Sequence, residues 1–204
     1  MEVRQALADL AEVRGRLATV QRFDGYSGSA AIASGLVAIC AGLVQGWLVP
    51  QPHTSHDRHA YLTIWLTCLG CALAINYGAI LVWRVRNRGA QAAMQFRTVG
   101  MSIIPAVAAG GVVTLALVLR GLDDLLPGMW CATYALGLFA SRAMVPRDVV
   151  AVAAAFGAAA AVLLLAPHPN PLAWWIMPAA FGVGQILIGA IVCADLTRER
   201  TSSA

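Results

Sequence analysis

The segment 27-SGSAAIASGLVAICAGLVQGWLV-49 carries no charged residue. As a helix it spans about 33 Å at 1.5 Å per residue, enough for a hydrocarbon core of about 30 Å. Small residues recur along it at every fourth position: Ala30, Ser34, Ala38, Gly42 and Gly46. In a helix that spacing makes one nearly straight row, a smooth groove against which a second backbone packs closely in lipid. The segment reads as a membrane-spanning packing helix with no chemistry of its own.

Composition extends this reading to the whole chain. Of 204 residues, 59% are hydrophobic and 12% charged, against about 25% charged in an ordinary soluble domain. All fourteen basic residues are arginine, which with the Ala- and Gly-rich spans suggests a GC-rich bacterial coding bias. The arginines flank apolar segments and form no single patch, so the net charge of +4 does not point to nucleic acid. Cys40, Cys68, Cys71 and Cys193 lie inside apolar runs and Cys131 near the start of one, which does not resemble a disulfide framework. The first apolar run is too long for a secretory h-region, so no signal peptide is expected.

Taken in order, the chain begins with Val3, Leu7, Leu10, Val13, Leu17, Val20 and Phe23 at steps of three and four, the pattern of an amphipathic helix over residues 1–25. It reads either as a helix lying on the cytoplasmic membrane surface or as a docking or dimerisation helix. Six apolar segments follow within a transmembrane domain of residues 26–196: Ser27–Val49, Tyr61–Trp83, Val99–Leu119, Leu125–Ser141, Val149–Ala166 and Leu172–Ala194. The second repeats the small-residue device with Gly70, Ala74 and Gly78. Pro105 in the third and Pro178 in the sixth predict kinks. Each proline is followed six residues later by a glycine, Gly111 and Gly184, but the other span pairs lack that offset and the echo reads as chance. Residues 197–204 form a polar tail.

The expected fold is therefore all-α, a polytopic membrane protein of six transmembrane helices behind a cytoplasmic amphipathic helix. With the amino terminus inside, Arg4, Arg14, Arg16, Arg22, Arg84, Arg86, Arg88, Arg97, Arg142, Arg147, Arg198 and Arg200 are cytoplasmic, leaving Arg58 and Arg120 outside. That asymmetry sets both termini in the cytoplasm of a bacterial inner-membrane protein.

This orientation puts His53, His56, His59 and His168 on the outer side, with Asp57, Asp123 and Asp124. Imidazole and carboxylate are ligands for zinc, copper or nickel. Steps of three residues do not bring three histidines together on a helix, however, so a solvated polar loop is the preferred reading over a metal or haem site. Asn76 and Gln185 are read as the most polar residues within spans. Either is placed to line a ligand cavity, but an amide bonding across helices is the ordinary use. No Asp, Glu, Lys, Arg or His falls within the six segments, which argues against ion-coupled transport. No loop holds a nucleophile with a base, a phosphate loop or paired carboxylates, which argues against an enzyme.

The stretches 22-RFDGYSG-28 with 34-SGLVAICAG-42, then 127-PGMWCATYALGLFASRAMVPRDV-149 and 181-FGVGQILIG-189, resemble a family of small uncharacterised bacterial integral membrane proteins. The resemblance implies six spans behind an amphipathic amino-terminal helix, often encoded beside a winged-helix regulator, with no established activity to carry over. Many members have histidine where this chain has Gln185.

The expectation is a non-enzymatic accessory, scaffold or regulatory subunit with no cofactor named. Its partners are the bilayer and a protein or second copy, met through the amino-terminal helix or small-residue faces. The alternatives are a permease or binder for an uncharged or hydrophobic ligand gated by the third and sixth spans, or an outward metal or haem site.

Overall fold

The computed structural model describes residues 25–166 and 170–202. The amphipathic segment Met1–Phe23 and His168 lie outside the described residues. Six α-helices succeed one another: α1 (Gly28–Leu48), α2 (Ser55–Arg86), α3 (Ala90–Leu119), α4 (Leu126–Ala140), α5 (Val149–Leu165) and α6 (Val183–Ser202). A 3-10 turn at Asp123–Leu125 precedes α4 and a π-helical turn at Pro178–Gly182 leads into α6. No strand occurs among the described residues.

Among the described residues the chain is all-α, and three helices are long and apolar enough to cross a membrane: Gly28–Leu48, Ser55–Arg86 and Pro178–Arg198. Ile104–Leu119, within α3, and Val149–Leu165 are shorter apolar helices. At 15 residues, α4 extends about 22 Å, short of a full hydrocarbon core. The six apolar segments of the sequence thus become six helices of unequal length.

Local chemistry sets the boundaries. The Ser27 hydroxyl accepts the Ala30 N–H at 3.3 Å and caps α1, satisfying one of the amide donors a helix start leaves open. α2 starts at Ser55, six residues ahead of the apolar run, because Thr54 and Asp57 form a capping box. His56, Asp57, Arg58 and His59 consequently stand on the first turns of a helix and not on a loop. At the other end of the chain α6 continues through Ser202, so residues 197–202 extend a helix and are not a separate tail. Pro105 lies inside α3, where it removes one backbone donor. Pro178 begins the π-helical turn, a type of local widening that also redirects helices.

The closest packing runs between α1 and the continuous stretch of π turn and α6, which is antiparallel to it. A Cβ on Gly28 would stand 2.7 Å from the Gly189 carbonyl oxygen, and one on Gly189 2.5 Å from the Gly28 oxygen. A Cβ on Gly35 would meet the Gly182 oxygen at 2.7 Å, and Gly42 lies hard against the Pro178 ring. Farther along, Gly46 faces the Trp174 ring. The seam thus repeats every seven residues, at Gly28, Gly35 and Gly42 on one side and Gly182 and Gly189 on the other. Of the expected every-fourth row, Gly42 belongs to it directly, while Ala30, Ser34 and Ala38 are buried beside it. In α2 the small residues do something else: Gly70 and Gly78 face open space and Ala74 is exposed.

One apolar core joins α1, α4, α5 and α6 through Ala31, Cys131, Val149, Phe156 and Ile188. A second joins α1, α2 and the segment before α6 through Ala38, Tyr61, Trp65, Leu172 and Met177. At the opposite end, Tyr26, Trp83, Phe96 and Met144 gather around Ile80. The connections therefore collect at two ends, as an up-and-down helix order requires.

Glycine substitutions separate the two uses. Gly35→Ala is expected to destabilise the bundle by about 1–3 kcal/mol through overpacking. Gly70→Ala, whose new methyl meets nothing, should stabilise it by up to about 1 kcal/mol through helix propensity. Unfolding titrations with SDS in mixed micelles check both.

Candidate functional site

Among the described residues, polar side chains join different elements at one end of the bundle and deep among the helices. At the end, the loop after α1, the first turn of α2, the Asp123–Leu125 turn and the segment before α6 meet. The Arg58 guanidinium donates to Asp123 Oδ2 at 3.4 Å and lies 3.9 Å from Asp124 Oδ1. Backbone bonding adds a tie, since the Trp174 N–H donates to the Pro50 carbonyl at 3.3 Å. Between these elements lies a small polar pocket of about 100 Å³, lined by His53, Arg58, Asp124, Asn170, Leu172 and Ala173 among others.

The expected outer histidines divide. His53 lines the pocket and its backbone N–H donates to Asp57 Oδ2 at 3.4 Å. His59 is exposed and turns back along its own helix, with Nδ1 2.7 Å from the Ser55 carbonyl. His56 is exposed one turn ahead of Ala60. Among the described residues no three His, Cys, Asp or Glu side chains converge as a metal-binding set. The Asp57 carboxyl, ahead of the apolar part of α2, is held below its ordinary range by the Thr54 backbone N–H and then by the Thr54 hydroxyl. Asp123 is buried, and its Oδ1 has no hydrogen-bond partner among the described residues.

Deep in the bundle, amides join helices. Asn76 of α2 donates through Nδ2 to the Ser34 hydroxyl of α1 at 2.7 Å and to the Ala72 carbonyl at 2.9 Å. The Ser34 hydroxyl in turn donates to the Ala30 carbonyl at 2.9 Å. Gln185 donates to the Tyr134 hydroxyl at 2.6 Å, linking α6 to α4, while its Oε1 has no partner among the described residues. Tyr134 sits in an aromatic triad, 4.7 Å from Phe156 and 5.4 Å from Phe181 between ring centroids. Gly184 faces Phe156, where a Cβ would come within 2.5 Å of Cζ, whereas Gly111 faces open space. The two proline–glycine echoes therefore serve different surroundings. Neither Asn76 nor Gln185 lines the end pocket.

Gln45 is the residue that sequence reasoning passed over. It is fully buried in α1, where Nε2 donates to the Leu172 carbonyl at 2.8 Å and Oε1 accepts from Trp65 Nε1 at 2.8 Å. One amide thereby fastens α1 to α2 and to the segment that forms one wall of the pocket. Its signal was available: it is the one amide side chain in Ser27–Val49.

Two predictions follow from these bonds. Gln45→Leu leaves the Leu172 carbonyl and the Trp65 indole N–H without partners, and a buried orphaned group costs about 1–3 kcal/mol. The variant should lose that much stability in SDS titration and expose Trp65 to a fluorescence quencher. For Asp57, a depressed carboxylate contributes stability above its unfolded value, and that stability is lost as pH falls through the folded value. The first turn of α2 should open below the ordinary Asp value of 3.8, seen as faster amide exchange at Asp57, and Asp57→Asn should remove that acid response.

Comparison with known proteins finds no family model, no curated protein and no solved structure that matches this chain, so its chemistry rests on these side chains alone.

Proposed function

We propose that the chain is a six-span protein of a bacterial inner membrane, with both termini cytoplasmic, acting as a non-enzymatic accessory or scaffold subunit. The observation that carries this reading is the use of the deep polar side chains. Gln45, Asn76 and Gln185 each bond to a neighbouring helix or to the segment before α6, an arrangement that suits holding a bundle together more than moving a solute through it. The arginine asymmetry supports the orientation, and the gathering of connections at two ends supports six crossings. The short α4 and α5 are accommodated by local thinning of the bilayer, at modest cost. The resemblance to small bacterial membrane proteins supports the same reading.

In this proposal residues 1–22 meet a protein partner, with apolar positions at steps of three and four as the contact face. Affinity capture of the tagged full chain from its native membrane in mild detergent should bring down a stoichiometric partner. Deleting Met1–Arg22 should release it while the truncated protein keeps the helicity of residues 25–202 and elutes as a single symmetrical peak. Retention of every partner by the truncated chain would contradict the proposal. Reporter fusions after Arg88 and after Arg120 test the topology, with the first expected inside and the second outside.

A further inference from the structure

The end pocket has features that a scaffold does not require. It places a cation and an anion side by side with slack between them: Arg58 and Asp124 approach only to 3.9 Å, and the Asp124 side chain is 54% exposed. Of the five N–H donors of a guanidinium, Arg58 uses one in a hydrogen bond among the described residues, to Asp123. That bond anchors Arg58, which itself lines the pocket. His53 and Asn170 add further polar groups to the lining.

The level of the pocket is marked independently. Trp47, Trp174 and Trp175 are all exposed, at 84%, 40% and 57%, and they belong to the same end, since Trp174 abuts Gly46 and its N–H is tied to Pro50. Exposed tryptophans group at the headgroup level of a bilayer. The pocket is far below the roughly 300–1,000 Å³ of a drug-sized site, so it suits a headgroup and not a whole amphiphile.

We propose that this pocket seats the headgroup of a phospholipid bearing a primary ammonium, with the phosphate on Arg58 and the ammonium on Asp124. The zwitterion replaces the loose 3.9 Å contact by two charge-assisted hydrogen bonds. A choline headgroup has no N–H to donate to Asp124, and a glycerol headgroup has no cation, so both are discriminated against. The inference rests on the membrane reading of the chain.

The test uses the full chain in nanodiscs containing equal amounts of phosphatidylethanolamine, phosphatidylglycerol and phosphatidylcholine with the same acyl chains. Lipids that stay bound after release are counted by native mass spectrometry. The wild type should retain phosphatidylethanolamine roughly tenfold over either competitor, about the factor one charge-assisted hydrogen bond supplies. Asp124→Asn, at an exposed side chain whose loss leaves the fold intact, should erase the preference over phosphatidylglycerol. Arg58→Gln should lower retention of all three. Retention in the proportions supplied, or an unchanged preference in Asp124→Asn, would overturn the proposal. Displacement of the bound lipid by millimolar free phosphoethanolamine would overturn the lipid assignment in favour of a soluble phosphate ester, whereas resistance to it supports the lipid. A chain that is monodisperse without detergent or lipid sinks the membrane reading itself, whereas one that needs a bilayer but shows no headgroup preference sinks only this inference.

Discussion

Backbone-to-backbone contact between α1 and α6 is the constraint on which the other parts depend. Lipid tails are as apolar as leucine, so burying leucine between helices gains little in a membrane, and close van der Waals approach has to supply the attraction. Each such contact is weak, and the sum depends on how many atoms lie at the right distance. Gly28 against Gly189 and Gly35 against Gly182 bring the two helices to where their carbonyl oxygens occupy the space of a side chain. A seven-residue period drifts only about 20° per repeat on a straight helix, so over the two repeats from Gly28 to Gly42 the seam stays on one face. The π turn supplies the far half of the same seam, where Gly182 meets Gly35 and Gly42 admits the Pro178 ring. The bulge and the seam are therefore one packing solution.

Hydrogen bonds then fix what dispersion leaves free to slide. A smooth glycine seam sets distance but resists displacement along the axis poorly. Gln45 holds the Leu172 carbonyl and the Trp65 indole near one end, and Asn76 holds Ser34 farther along the α1–α2 contact. Gln185 and Tyr134 do the same between α6 and α4. A polar group left unpaired at such depth has no water to turn to, so each bond specifies register more sharply than its modest net energy suggests.

Much of this was legible from residue order alone. The extent of α1 follows from an uncharged run of spanning length opened by Ser27, and the bonding role of Asn76 follows from the scarcity of partners for an amide in lipid. The seam itself was less legible. Every-fourth spacing draws attention to Ala30, Ser34 and Ala38, and the seven-residue glycine row becomes visible only when the antiparallel partner supplies Gly182 and Gly189 at the same interval. In α2 the small residues follow the same pattern as in α1 yet face open space, because spacing describes a surface and not what meets it. The early start of α2 was encoded in Thr54 and Asp57, but the three histidines around them read more readily as loop. Gln45 gave no periodic signal, and the convergence of Arg58 with Asp123 and Asp124 spans 65 residues, a separation no local pattern reports.

The pocket inherits its shape from this hierarchy. One wall, residues 170–173, is held where Gln45 binds the Leu172 carbonyl, and Gln45 sits on the helix that the glycine seam positions. His53 follows directly from the end of α1, through a connection whose Pro50 carbonyl accepts the Trp174 N–H. Asp124 comes from the other half of the molecule, beyond α3, and reaches the pocket beside the Arg58–Asp123 bond. α3 itself is more lightly held: Gly111 faces open space, and its side-chain tie to α4 among the described residues is the Trp130 indole on Thr114. Two walls are thus referenced to the seam, and the third, the Asp123–Leu125 turn, is set by the fully buried Leu126 that follows it and is joined to α2 by the Arg58–Asp123 bond. The Arg58–Asp124 contact, at 3.9 Å, is therefore where the two opposite charges of the site are least firmly engaged with one another.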